Sequence, residues 1–243
     1  MLEFGVMNSA GLTVITGEIG CGKTTLVRYL LRKLDDHVTA CLISNTPRSQ
    51  DGLLQWVMMS LNQPFEGSHP ALFKQFQKFL HDQFSRGRRT ILIVDEAQNL
   101  GFEALEELRM LSNVNTNKQQ FLQIILVGQP QLKDMLRTSQ MLQFAQRVSS
   151  DFHLMPMSAD DVSEYIDFRL RAVGSHSELF TTEACKIIAD TSRGIPRTIN
   201  ILCDTALVYG FAAGVNKITA ELVDTVIQNK AQFGVLPFGL QPV

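Results

Sequence analysis

The chain has 243 residues, 45% of them apolar, with 22 basic against 24 acidic side chains and a formal charge of −2. That much apolar material excludes a disordered chain, and the length fits one large α/β domain or one such domain with a small appendage. The near-balanced charge excludes bulk electrostatic attachment to nucleic acid, although a local basic patch stays open.

Leu12-Thr13-Val14-Ile15-Thr16 reads as a buried strand and Thr25 to Leu34 as a helix. Between them Gly17-Glu18-Ile19-Gly20-Cys21-Gly22-Lys23-Thr24-Thr25 fits the phosphate-loop pattern G-x-x-x-x-G-K-[ST]. Glycines at 17, 20 and 22 let the backbone bring its N–H groups close to phosphate oxygens, and the helix that starts here adds its positive dipole end. Lys23 is placed to meet the β- and γ-phosphates and the Thr24 hydroxyl to ligate Mg²⁺. The loop therefore predicts nucleoside triphosphate binding.

Val38 to Ile43 is a second short strand, ending at Ser44-Asn45-Thr46-Pro47, and a helix is expected around Gln50 to Leu61. A turn with Pro64, Gly67 and Pro70 follows. Leu72, Phe73, Phe76, Phe79, Leu80 and Phe84 then recur at helical spacing. That spacing favours a buried face over a base-stacking platform. Arg86-Gly87-Arg88-Arg89 forms a short basic knot ahead of the next strand, either a solvated loop or a contact for phosphate or a partner.

Thr90-Ile91-Leu92-Ile93-Val94 reads as a parallel strand buried on both faces, with Asp95 and Glu96 at its carboxyl end, where α/β sheets place their ligands. Asp95 is placed to hold Mg²⁺ with the Thr24 hydroxyl, and Glu96 to act as general base on water. A base for water points to ATP hydrolysis rather than phosphoryl transfer to another acceptor. A helix from Phe102 to about Ser112 turns Leu105, Leu108 and Leu111 inward, and Phe121 to Val127 is the fourth strand. Gln129 at its end either positions water and senses phosphate or caps the helix after Pro130.

Phe152-His153-Leu154 is the expected fifth strand, and the core is expected to close near residue 156. Beyond it the pattern is helical: Ser158-Ala159-Asp160-Asp161 caps a helix to about Val173, followed by Thr181 to Ser192, Gly194-Ile195-Pro196 to Ala213, and Thr219 to Asn229. The predicted organisation is a nucleotide-binding core over 1–156, a helical lid over 157–232 and a flexible tail over 233–243. Cys21, Cys41, Cys185 and Cys203 are scattered, as for reduced thiols of a cytosolic protein, and the five histidines lack zinc-ligand spacing. Neither a signal peptide nor a bilayer-length apolar run is visible.

Taken together, these motifs resemble the AAA+ ATPases, and within them the ExeA/GspA-like secretion ATPases of exosortase, polysaccharide-export and pilus-biogenesis systems. The resemblance runs through the loop, Val94-Asp95-Glu96-Ala97-Gln98-Asn99-Leu100, Leu105-Glu106-Glu107-Leu108-Arg109 and Leu126-Val127-Gly128-Gln129-Pro130. It continues in Gln146-Arg147-Val148, Tyr165-Ile166, Arg169-Leu170, Gly194-Ile195-Pro196-Arg197 and Ile199-Asn200. It implies an α/β phosphate-loop core with a helical lid, ATP and Mg²⁺ as ligands, and action as a ring, filament or dimer. It also implies that Arg197 is a second sensor, that Gln129 is the first, and that Arg147 or Arg137 is an arginine finger. Asn45 is a candidate restraint on Glu96. Gln129 departs from the Asn, Thr or Ser usual at the first sensor.

Members usually carry a segment ahead of the first strand, and larger ones add a membrane span and a cell-wall-binding region. Neither is expected here, so the chain is expected in the cytoplasm, reaching the envelope or inner membrane only through a partner protein of the export machinery. Two rivals remain: a DNA-associated AAA+ ATPase of the transposition-helper type, kept open by Arg86, Arg88 and Arg89, and a nucleotide-gated scaffold with little turnover.

Overall fold

The structure, a computed structural model, describes residues 11–44, 52–116, 119–175 and 178–234. Its contacts divide into two units. The first, ending at Leu154, carries five strands: β1 (Leu12–Gly17), β2 (Val38–Ile43), β3 (Arg89–Val94), β4 (Leu122–Gly128) and β5 (Ser150–Leu154). They form one sheet in the order β2-β3-β4-β1-β5, and every neighbouring pair is parallel.

Between the strands run α1 (Lys23–Lys33), α2 (Leu53–Ser60), α3 (His69–Ser85), α4 (Phe102–Ser112), α5 (Pro130–Leu136) and the single turn α6 (Leu142–Ala145). Strand side chains alternate between the sheet's faces. Leu12, Val14, Leu92, Val94, Ile124 and Leu126 therefore share one cluster with Leu54, Val57, Phe76, Leu80, Leu105 and Leu108. The odd-phase residues Ile15, Ile91, Ile93, Ile125 and Val127 pack with Val27 and Leu30 of α1 on the other face. Strands covered on both sides must be apolar throughout, which is why β3 and β4 read as unbroken runs.

The second unit is helical: α7 (Ala159–Ala172), α8 (Thr182–Ser192), α9 (Pro196–Ala213) and α10 (Ala220–Phe233). They enclose a separate cluster around Val162, Ile166, Ile188, Ile199, Leu202 and Val223. Ser158 opens α7 with a complete capping box, its hydroxyl taking the Asp161 N–H while the Asp161 carboxylate takes the Ser158 N–H.

Several boundaries differ from expectation. The helix after the loop starts at Lys23, two residues early. Pro70 lies in the first turn of α3 and not in the turn before it, because its missing N–H is one the helix does not need there. Phe84 is 37% exposed at the end of the α3 stripe, its ring against Phe121 with centroids 4.8 Å apart. Arg89 is the first residue of β3 and not part of the loop ahead of it. β5 begins at Ser150, two residues early; as an edge strand it alternates half-buried with exposed, so its start carries little apolar signal. α10 runs on to Phe233. Asn45, Gln50 and the tail from Val235 lie outside the described residues.

Candidate functional site

Three strand ends build the site. β1 delivers Gly17, paired in the sheet with Leu154 of β5. In the loop beyond it, Gly20 and Gly22 take φ of +88° and +93°, the left-handed region that a side chain resists. Glu18, Ile19 and Thr25 are exposed and Cys21 is buried.

Lys23, the first residue of α1, is only 6% exposed. Its ammonium donates to the Gly17 carbonyl at 2.8 Å and the Glu18 carbonyl at 2.9 Å. Two carbonyl dipoles stabilise the cation but leave its unit charge in place, so the loop favours an anion. α1 has no acidic residue in its first turn, so its positive dipole end adds to that preference.

The Thr24 hydroxyl donates to Asp95 Oδ2 at 2.8 Å, joining α1 to the end of β3. Asp95 is 4% exposed; its Oδ1 accepts the Glu96 N–H at 2.9 Å, and its own N–H donates to the Ile43 carbonyl of β2 at 2.8 Å. A buried carboxylate beside a hydroxyl offers the hard oxygen donors that suit Mg²⁺.

Glu96 adopts φ 54° and ψ 38°, left-handed backbone at a non-glycine residue, which costs about 1–3 kcal/mol. A single 3₁₀ turn over Ala97–Asn99 comes next. It brings Gln98 back onto the acid, its Nε2 donating to Glu96 Oε2 at 2.6 Å. From the end of β4, Gln129 Nε2 donates to the same oxygen at 3.2 Å. Gln129 stands at the N-cap position of α5, its carbonyl accepting the Leu132 N–H at 2.9 Å while its side chain turns to Glu96.

Lys23, Thr24, Asp95, Glu96 and Gln129 are thus brought together within the first unit. Arg147 is exposed and donates from Nη1 to the Ser112 hydroxyl of its own chain at 3.0 Å. Arg137 is exposed at the C-terminal end of α5. Arg197 is exposed in the first turn of α9 in the second unit.

Sequence reasoning missed two contributors. Gln98 was visible only as a letter in a motif, because nothing in the sequence indicated the left-handed turn that aims it. Glu107 of α4 accepts the Leu53 N–H at 2.9 Å and the Leu54 N–H at 3.2 Å, and pairs with His69 Nε2 at 3.0 Å. It caps α2 from another helix, a long-range pairing with no local signature.

Burial raises the thiols of Cys41 and Cys185 and pushes Cys203 up to about 12, so none of these three is a thiolate nucleophile at neutral pH. Among the described residues no helix is long and apolar enough to cross a membrane.

A parallel sheet with a phosphate loop after β1 and paired acids after β3 defines a phosphate-loop α/β nucleotide-binding core. The family model described as "AAA domain" matches residues 6–136, and the chain belongs to that family. It is 37% identical over 219 residues to General secretion pathway protein A of Aeromonas hydrophila, across 89% of this chain and 40% of that protein. The ExeA/GspA-like resemblance read from the motifs is borne out by that match.

Among solved structures, Drosophila ORC bound to DNA aligns at TM-score 0.70 with 18% identity, over 93% of this chain and 57% of that one. Aeropyrum pernix ORC2, solved with ADPNP and ADP, aligns at 0.65 with 14% identity, over 93% of this chain and 65% of that one. At such identities the likeness is one of fold. The chain spans less than two thirds of the length of each of these three relatives.

Proposed function

We propose that the chain binds Mg·ATP at Gly17–Thr25 and hydrolyses it, using the energy to assemble or regulate a secretion, polysaccharide-export or pilus machine. The observation that carries the proposal is the contact between the Thr24 hydroxyl and the buried Asp95 carboxylate, with Glu96 the next residue.

Loop amides and Lys23 bind the β- and γ-phosphates. Thr24 and Asp95 would hold magnesium, which when bound supplies positive charge against the phosphoryl oxygens. Glu96 takes the proton from the attacking water as its oxygen bonds to the γ-phosphorus and the bond to ADP breaks. Gln129, as first sensor, holds that water or the γ-phosphate.

The remaining roles rest on the family resemblance. The helices of 157–232 serve as the lid, Arg197 is the second sensor, and Arg147 rather than Arg137 is the finger supplied to a neighbouring copy. That last role makes the working form a ring, filament or dimer. The chain acts in the cytoplasm and reaches the envelope through a partner; similarity to a protein named for general secretion supports that client class.

Phosphate release by the wild type, Lys23→Ala and Glu96→Gln tests the core of this reading. Magnesium-dependent turnover by the wild type is expected, and Glu96→Gln should keep nucleotide binding while losing about 100-fold or more in rate. Wild-type turnover by Glu96→Gln would remove Glu96 from the role of base.

A further inference from the structure

Gln98 is bound at both ends of its carboxamide. Its Oε1 accepts the main-chain N–H of Gln129 at 3.0 Å, and its Nε2 donates to Glu96 Oε2 at 2.6 Å. The orientation of this amide is dictated by its partners. A main-chain N–H can only donate, so the atom facing Gln129 must be the oxygen, and the NH₂ is left facing the carboxylate. A flipped amide would oppose donor to donor at one end and acceptor to acceptor at the other.

The surroundings keep room for this arrangement. Gly128 ends β4, and a Cβ there would lie 2.9 Å from Gln98 Oε1 and 2.9 Å from Leu132 Cδ2. A side chain at 128 would push the carboxamide away. Gln129 also reaches Glu96 Oε2 through its side chain, but at 3.2 Å, the longer of the two contacts. The shorter one is anchored to backbone, which stays where it is when a side chain turns.

We infer that Gln98 is a positioning residue that ties Glu96 to the end of β4, so that the carboxylate stays aimed when the Gln129 side chain swings from it to a phosphate. The inference rests on Glu96 being the base. Gln98 acts through Glu96 and touches neither water nor phosphate itself.

The test uses the full chain and four readouts: kcat and KM for ATP by phosphate release, equilibrium affinity for a non-hydrolysable ATP analogue, and melting temperature. Gln98→Met keeps length and removes both hydrogen bonds. A displaced carboxylate should lower kcat about 100-fold, while analogue affinity stays within about twofold, since residues that touch the phosphates are unchanged. In a Glu96→Gln background the same substitution should add less than about twofold, because two changes acting through one group do not add.

Gln98→Glu is the second variant, and it decides the matter if the methionine variant does not fold. It keeps the acceptor for the Gln129 N–H but turns an acceptor toward Glu96. The introduced carboxyl regains a donor when protonated, so its deficit in kcat relative to wild type should shrink as pH falls. Wild-type kcat in Gln98→Met with Glu96→Gln inactive would overturn this inference and leave the base assignment standing. So would an equal loss in both backgrounds, or a pH-independent defect in Gln98→Glu. Full turnover by Glu96→Gln would bring down both together.

Discussion

Replacing Lys23 with methionine separates its contribution to the fold from its contribution to binding. The 6%-exposed ammonium donates to the carbonyls of Gly17 and Glu18 at 2.8 and 2.9 Å. Methionine loses both bonds but is relieved of holding a charge away from water. These opposed effects leave a net loss of about 1 kcal/mol or less. With ATP the balance differs, because nothing offsets the lost contact between cation and phosphate. A charge-assisted bond contributes about 1.5–3 kcal/mol, and the upper part of that range weakens affinity about 100-fold. At ATP near 100 times the wild-type Kd, the wild type gains about 2.7 kcal/mol and the variant only about 0.4. For a chain of this size each kcal/mol moves Tm by about 2–4 °C, so the ATP-induced shift should fall from about 5–11 °C to about 1–2 °C. Thermal melts with and without Mg·ATP read this directly. An undiminished shift in Lys23→Met would refute phosphate contact by Lys23, and a nucleotide-free loss above about 3 kcal/mol would make the lysine a structural residue instead.

Glu107→Ala removes the acceptor for two amides at the buried start of α2 and should cost about 2 kcal/mol in urea unfolding; His69→Ala, on the exposed side of the same pair, should cost less than about 0.5. The Ser158 hydroxyl, and then its main-chain N–H, hold the Asp161 carboxyl below its ordinary value. A depressed acid stabilises the fold above its unfolded value and loses that contribution as pH falls through the folded one. The gap in Tm between wild type and Asp161→Asn should therefore narrow between about pH 7 and about pH 3.

What could be read from the chain alone depends on how local each feature is. The phosphate loop sits between a strand and a helix that its own residues specify, and α4 was legible because Leu105, Leu108 and Leu111 mark one face. β3 and β4 were legible because burial on both faces leaves an unbroken apolar run. Signals faded where structure depends on distant partners. β5 gains only one neighbour, β1, and so needs little apolar character at its start. Phe84 belongs to the helical stripe by spacing, but it is 37% exposed, and its ring rests on Phe121, just ahead of β4. The roles of Gln98 and Glu107 were hidden for the same reason: each acts on a backbone group contributed by another element.

The order of strands explains why the acid needs restraint at all. β4 lies between β1, which carries the loop, and β3, which carries the acids. A side chain leaving β3 directly toward the loop must cross the end of β4. Asp95 makes that crossing with the help of the Thr24 hydroxyl, a fixed point on α1. Glu96, one residue further on, has turned left-handed and out of the strand direction, so no sheet bond orients its side chain. The residue that crosses its path is Gln129, the first past β4, and it holds Glu96 twice: directly by its side chain, and through its backbone by way of Gln98. Gln129 is also the residue proposed to meet the γ-phosphate or the attacking water. On the proposed assignment, a strand inserted between loop and acids makes one position both the sensor of the nucleotide and the anchor of the base. On this geometry, truncating Gln129 to alanine should cost its own side-chain contacts but leave Glu96 tied through Gln98, because alanine retains the N–H that Gln98 needs.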